Sequence, residues 1–264
     1  MNNLLEIENL EIISKKENIK ILKDINLILK KGEFLGIVGE SGAGKTTLIN
    51  TITAFLNEKN FLLSGKIKYF NNFFILNNEK IIKYNEKREF CKKHIGIIPQ
   101  DSINSLNPYE KIKNQIIETY ILHNNIKDKN KIISITKKIL KEMGFENIDI
   151  ILNSYPSQLS GGQRQRITIA LSLCANINLL LADEPTTSLD AINQYKFVNF
   201  LKKICLEKNL TLIYISHDIR LLSQICNRII VMKNGEIVED ASSYDIFNYP
   251  KHEYTKLLIE SVVL

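Results

Sequence analysis

Residues 39–47 read Gly39-Glu40-Ser41-Gly42-Ala43-Gly44-Lys45-Thr46-Thr47, and no other stretch restricts the fold of this chain so tightly. The run fits the pattern G-x-x-x-x-G-K-[ST], which needs a strand before it and a helix after it. Both are legible. Residues 34–38 form a short apolar run that stops at Gly39, the pattern of a buried parallel strand, and a helix is expected from 45 to about 56. The glycines let the backbone curl so that successive N–H groups converge on phosphate oxygens. The helix N-terminus adds its dipole to the same anion site. The whole run, from Gly39 through Thr47, is therefore a candidate phosphate cradle. Lys45 would reach the β- and γ-phosphates of a nucleotide, and the Thr46 hydroxyl would bind Mg²⁺.

The rest of the chain supplies a sheet to carry this loop. Residues 4–13 and 19–29 alternate apolar and polar positions around the turn-like Ser14-Lys15-Lys16-Glu17-Asn18, as paired strands do. A strand is expected at 65–70 and a buried one at 95–98, whereas 71–90 is polar, Lys-rich and without a clear period. From about 102 to 157 helical spacing takes over, for example at Ile132, Ile135, Ile139 and Met143. Strand and helix then alternate again. Buried strands are expected at 179–182, 212–215 and 229–232, the last turning at Asn234-Gly235. Phe197, Phe200, Leu201 and Ile204 mark one apolar helical stripe, and short helices at 244–248 and 252–260 close the chain. Such alternation implies an α/β fold with a largely parallel sheet covered on both faces.

Two carboxylates end one of these strands: Leu179-Leu180-Leu181-Ala182-Asp183-Glu184. Coupled with a phosphate loop, Asp183 is placed to hold Mg²⁺, mostly through water. Glu184 is placed to act as general base on the attacking water. A third element is Leu159-Ser160-Gly161-Gly162-Gln163, followed by Arg164-Gln165-Arg166. It precedes a helix with Ile167, Ala170, Leu171 and Cys174 on one face. A hydroxyl and backbone N–H groups at a helix N-terminus form a second anion site.

With these motifs in this order, the sequence resembles the ATP-binding cassette ATPases along essentially its whole length. The resemblance implies a P-loop NTPase cassette with a mixed, mostly parallel sheet core. It also implies an N-terminal antiparallel β subdomain, an inserted helical subdomain at about 102–176 and a C-terminal extension at 240–264. It makes Ser160, Gly161, Gly162 and Gln163 a signature that closes over the nucleotide of a partner cassette, so that two ATP molecules are sandwiched in a head-to-tail dimer. Gln100 resembles the glutamine that senses Mg²⁺ and water and touches the membrane subunit. Ser188-Leu189-Asp190 resembles the loop that crosses the dimer interface, and His217 resembles the switch histidine on the γ-phosphate. Glu184, His217 and Gln100 are thus the expected catalytic residues, with Thr46, Gln100 and Asp183 at the metal. One position departs from the family pattern. Where an aromatic residue usually stacks on adenine stands Ser14, and aliphatic contacts such as Ile19 or Ile21 are left to hold the base.

Two segments narrow the resemblance to importers of dipeptides, oligopeptides and nickel. They are Pro99-Gln100-Asp101-Ser102-Ile103-Asn104-Ser105-Leu106-Asn107-Pro108 and Tyr249-Pro250-Lys251-His252-Glu253-Tyr254-Thr255-Lys256-Leu257-Leu258. Peptide-importing members commonly continue into a longer tail that can carry a cysteine cluster. This chain has no cysteine after Cys226, which is more like the nickel or metal-chelate branch, so both substrates stay open. The implied partners are integral membrane permease subunits, a second cassette (a copy or a related chain) and, indirectly, an extracytoplasmic substrate-binding protein. The expected location is peripheral, on the cytoplasmic face of the membrane.

Composition excludes several other classes. Lys and Arg total 35 against 29 Asp and Glu, a net +6 spread along the 264 residues, without the clustered stripe that nucleic acid requires. The four cysteines, Cys91, Cys174, Cys205 and Cys226, are too far apart for a local metal cluster and read as buried thiols. No run of about 18 apolar residues exists to span a membrane. The first residues, with Glu6, Glu8 and Glu11, lack the basic flank of a signal peptide. A non-transport cassette of translation or DNA repair would pair two cassettes or insert coiled coils or zinc modules. A GTP switch would carry Asn-Lys-x-Asp, but Leu210 follows Asn209. A silent ATP-binding partner would not need Glu184 and His217.

Overall fold

The computed structural model describes residues 3–70, 72–76, 84–101, 105–124, 128–174, 176–187 and 189–263. The chain divides into two compact units, residues 1–91 with 189–264, and residues 92–188.

The first unit opens on β1 (Asn3–Ser14) and β2 (Ile19–Lys30), paired antiparallel around the turn at 15–18. The alternation buries Leu10 and Ile12 of β1 with Ile25, Leu27 and Leu29 of β2. Next come β3 (Phe34–Val38), buried throughout, and α1 (Lys45–Ile52). The helix stops four residues before the expected 56. Ala54 takes φ 59°. Phe55 N–H then closes on Asn50 C=O at 2.8 Å and Ala54 N–H on Thr51 C=O at 3.3 Å, the bond pair that ends many helices on a left-handed residue. That residue is usually Gly, so Ala54 leaves no stop signal in the sequence.

β4 (Phe61–Tyr69) starts earlier than the expected 65 because it pairs with β1 from Ser14↔Phe61 to Leu5↔Tyr69. β5 (Asn72–Leu76) adds an antiparallel edge, giving the order β2-β1-β4-β5, and α2 (Tyr84–His94) follows. Both lie in the stretch without a clear period, of which 71 and 77–83 fall outside the described residues.

The second unit carries β6 (Ile95–Ile98), α3 (Ile112–Asn124), α4 (Lys129–Glu142), α5 (Ile148–Asn153), α6 (Gly161–Cys174) and β7 (Leu179–Asp183). β6 and β7 pair in parallel, Ile95↔Leu179 through Ile98↔Ala182. α3 packs on α4, α5 and α6 through the buried Ile112, Ile116 and Tyr120. Two expectations need correction. On α4, Ile132, Ile139 and Met143 are buried but Ile135 is half-buried. Thr136 takes a core position instead, its hydroxyl satisfied by Ile132 C=O at 2.9 Å. α6 is not one-sided: Ile167, Ile169, Ala170, Leu173 and Cys174 are all buried and Leu171 only half so. Neighbours cover more than one side of the helix from Ile167 to Cys174, which blurs the 3.6-residue period, while Gly162 and Arg166 are exposed.

The chain then re-enters the first unit. α7 (Ala191–Glu207) is followed by β8 (Thr211–Ile215), α8 (Ile219–Ile225), β9 (Arg228–Lys233) and β10 (Glu236–Ser242). α9 (Ser243–Asn248) and α10 (Glu253–Val263) finish it. Phe197, Leu201 and Ile204 of α7 are buried as expected, while Val198 and Cys205 complete that face and Phe200 is half-buried. β3 lies between β8 and β9, parallel to both, and β10 runs antiparallel to β9. The β9–β10 turn has φ 49° at Asn234 and 82° at Gly235, the left-handed pair that suits a two-residue hairpin. All four cysteines are buried thiols, and burial pushes that of Cys205 up to about 12. Among the described residues no helix is long and apolar enough to cross a membrane.

Candidate functional site

In the first unit the sheet register builds the site. β3 and β8 are neighbours through Ile37↔Ile215, and one further bond, Ser216 N–H to Ile37 C=O at 3.2 Å, extends the pairing past the strand ends. The loop that leaves β3 at Gly39 and the turn that leaves β8 at Ser216-His217 therefore emerge side by side. Ligands of parallel α/β sheets bind outside these carboxyl ends. His217 is exposed there. Asp218 behind it caps α8, accepting Arg220 N–H at 2.9 Å.

The loop needs two of its glycines for room. A Cβ on Gly39 would sit 2.2 Å from Met232 C=O on β9, and one on Gly44, at φ 96°, 2.6 Å from Leu22 of β2. Gly44 is also the N-cap of α1 and offers no side-chain cap, so the first-turn N–H groups face an incoming anion without a competing side chain. Thr46 lies exposed on that turn. Lys45 is only 7% exposed. Its ammonium crosses beneath the loop to Gly39 C=O at 2.8 Å and Glu40 C=O at 2.9 Å. Gly235 N–H of the hairpin braces the far side, on Ala43 C=O at 3.2 Å. These features fit a phosphate chain with a hard cation: converging backbone donors, a lysine ammonium and a hydroxyl at the helix start.

In the second unit the structure brings Gln100 and Glu184 together. Gln100 Nε2 is 3.4 Å from Glu184 Oε2. Asp183 ends β7, half-buried, and Glu184 follows with φ 45°. A non-glycine residue in that region stores about 1–3 kcal/mol of strain and is found disproportionately at functional sites. Two groups that the sequence did not single out hold this corner. Thr187 Oγ1 donates to Glu184 C=O at 2.8 Å and lies 3.4 Å from Glu184 Oε2. The buried Gln165 side chain donates to Pro185 C=O. Gln165 was quoted only in the run that follows Gln163, with no role given to it, and Thr187 lies three residues after Glu184, so nearness to a motif is the one signal that flags them.

The Ser160–Gln163 segment forms the N-terminus of α6. Ser160 Oγ accepts Gln163 N–H at 3.3 Å, and Gln163 Oε1 accepts Ser160 N–H at 2.9 Å, a reciprocal capping box. Gly161 and Gly162 lie inside the first turn of the helix and not before it, contrary to expectation. Among the described residues a Cβ on Gly162 would meet nothing within 4 Å. Asp190 caps α7 through Asn193 N–H at 2.9 Å. This bond and one from the Asn193 side chain hold its carboxyl below the usual range. Ser188 lies outside the described residues, as do Ser102, Ile103 and Asn104.

Ser14 is buried at the end of β1, its hydroxyl accepting Glu17 N–H at 3.3 Å. Ile19, its partner across the turn, is 57% exposed, and Ile21 is half-buried.

Residues 22–187 match the family model described as ABC transporter. The chain is 35% identical to the oligopeptide transport ATP-binding protein AppD of Bacillus subtilis (strain 168), over 99% of its own length and 79% of that protein. It is also 35% identical to the oligopeptide transport ATP-binding protein OppD of Lactococcus lactis subsp. cremoris (strain SK11), over 92% and 70%. Similarity to the glutathione import ATP-binding protein GsiA of Escherichia coli (strain K12) is 32% over 98% of this chain, which spans 42% of that longer relative. Among solved structures, cbiO1 from Clostridium perfringens, part of the ABC transporter complex cbiONQ, superposes with a TM-score of 0.79 at 25% identity, over 99% of this chain and 98% of the other. A dimeric ATP-binding cassette in a post-hydrolysis state with ADP and Pi gives 0.74 at 28% identity, over 90% and 98%. The chain belongs to the ABC transporter family and is one of its ATP-hydrolysing cassettes.

Proposed function

We propose that this cassette powers the import of peptides, working as one of two cassettes docked on membrane permease subunits at the cytoplasmic face. The observation that carries the substrate class is the 35% identity to two oligopeptide transport ATP-binding proteins across nearly the whole chain. An extracytoplasmic binding protein would deliver the peptide. Coupling to the permease is assigned to Gln100 and the helical segment of about 102–176, which would supply the groove for a cytoplasmic helix of the permease.

In the proposed chemistry the 39–47 loop wraps the phosphates of ATP with its N–H groups, and Lys45, held at the loop, donates to the β- and γ-oxygens. Thr46, Asp183 and Gln100 are the residues that would hold Mg²⁺, which when bound would offset phosphate charge. Glu184 accepts a proton from the attacking water as its oxygen bonds to the γ-phosphorus. The bond to the β–γ bridging oxygen breaks, and ADP leaves with that electron pair. His217 donates to the γ-phosphate. Ser160, Gly161, Gly162 and Gln163 close over the ATP of the partner cassette.

Gly162 supports the last assignment. Glycine in a helix costs about 1 kcal/mol relative to alanine, and among the described residues nothing crowds the position. A partner cassette's nucleotide seated there would supply a reason to keep it bare. Gly162→Ala is therefore expected to leave the melting temperature unchanged or slightly raised while ATP turnover falls at least about tenfold. Turnover at the wild-type level would remove the signature role. The substrate class is tested by uptake in cells lacking this cassette. Loss of labelled di- and oligopeptide uptake with nickel uptake intact supports the proposal, and the reverse pattern overturns it.

A further inference from the structure

The C-terminal helix reaches the nucleotide loop directly. Tyr254, in the first turn of α10, accepts Glu40 N–H on its hydroxyl oxygen at 2.8 Å, across 214 positions of sequence. The partner of that N–H in the same peptide unit is Gly39 C=O, which accepts the Lys45 ammonium at 2.8 Å. The peptide between Gly39 and Glu40 is thus gripped at both ends, by Lys45 on the oxygen and by Tyr254 on the nitrogen. Rotation of that peptide would break both bonds and carry the anchor of Lys45 away.

Two further contacts hold Tyr254 itself, and Glu239 ties down the residues just before it. The Lys233 ammonium, on the hairpin that braces Ala43, lies 4.8 Å from the centre of its ring. Its N–H donates to His252 Nδ1 at 3.1 Å. Lys251 N–H and His252 N–H donate to the Glu239 carboxylate of β10 at 2.9 and 3.0 Å. Burial alone would raise the Glu239 carboxyl, yet hydrogen bonds, those two amides among them, keep it below the usual range. The start of α10 is therefore tied to β10 by a charged acceptor, and its tyrosine is aimed at the loop.

We propose that Tyr254 is a positioning residue for nucleotide binding. It orients the Gly39–Glu40 peptide, and through it Lys45, so that the loop is set before the phosphates arrive. This rests on the reading of 39–47 as the nucleotide cradle. Preorganisation of this kind raises affinity by removing an ordering cost from the binding step.

Tyr254→Phe removes the oxygen and keeps the ring over Lys233. In the full chain, ATP affinity measured by calorimetry is expected to weaken about two- to tenfold, the range of one hydrogen bond. In the nucleotide-free chain, exchange of the Glu40 amide, followed by NMR, is expected to accelerate about fivefold. A tyrosine that only fastens α10 would lower the melting temperature and leave both readouts unmoved, and either one unmoved overturns the proposal. Should the wild-type chain fail to bind ATP, the cradle reading falls. The Glu40 exchange rate would still decide whether Tyr254 orients that peptide.

Discussion

Replacing Glu184 by Gln is expected to lower the turnover of ATP by about 10²–10⁴-fold, the usual contribution of a general base, while ATP affinity is retained. The change is nearly isosteric. The Gln side chain can still meet Gln100 Nε2 and Thr187 Oγ1, each 3.4 Å from Glu184 Oε2, and the backbone at φ 45° is held by the Thr187 hydroxyl on Glu184 C=O. Only the basicity is lost, because an amide does not take the proton of the attacking water. With hydrolysis blocked and binding intact, an ATP-bound dimer should accumulate and elute early in size-exclusion chromatography with ATP and Mg²⁺. Turnover close to wild type in this variant would remove Glu184 as the base.

Replacing Lys45 by Ala is expected to abolish measurable nucleotide binding, lowering affinity by at least about 10²-fold. Hydrogen bonds from a charged group are worth about 1.5–3 kcal/mol each, and Lys45 is the one assigned to two phosphates. The structure adds a second loss. The ammonium is held on Gly39 C=O and Glu40 C=O at a site only 7% exposed. Its removal strips two loop carbonyls of their partner and lets the loop loosen before ATP arrives. The far-ultraviolet circular dichroism of the variant should match wild type, since β3 and α1 on either side are held by their own hydrogen bonds. Unchanged affinity in a nucleotide titration would contradict the assignment.

The motifs were legible because their chemistry is carried by the backbone and by residue types that few other contexts require. A glycine at 39 or 44 is demanded by Met232 C=O and Leu22 pressing on the loop, and the apolar run of β3 marks a strand buried on both faces. Errors arose where local signals and packing part company. α1 ends on Ala54 in a left-handed turn that normally carries glycine. Thr136 sits in the core because its hydroxyl is satisfied by its own helix. α6 has no single apolar face because neighbours cover more than one side of it from Ile167 to Cys174. Ser14, which stands where an adenine-stacking aromatic is usual, is a buried strand-end residue whose hydroxyl accepts Glu17 N–H in the turn to β2.

From residue order alone came the phosphate loop, the strand ending in Asp183-Glu184, the Ser160–Gln163 segment and the family they resemble. Those are short-range patterns, and each carries its own chemistry within a few residues. Long-range partners could not be read that way. The contacts that aim Lys45, from Gly235 on Ala43 and Tyr254 on Glu40, join residues about 200 positions apart in the chain. Such a bond leaves no period or spacing in either segment. It exists only because the pairing of β3 with β9, and of β9 with β10, carries the hairpin and the start of α10 to the mouth of the loop.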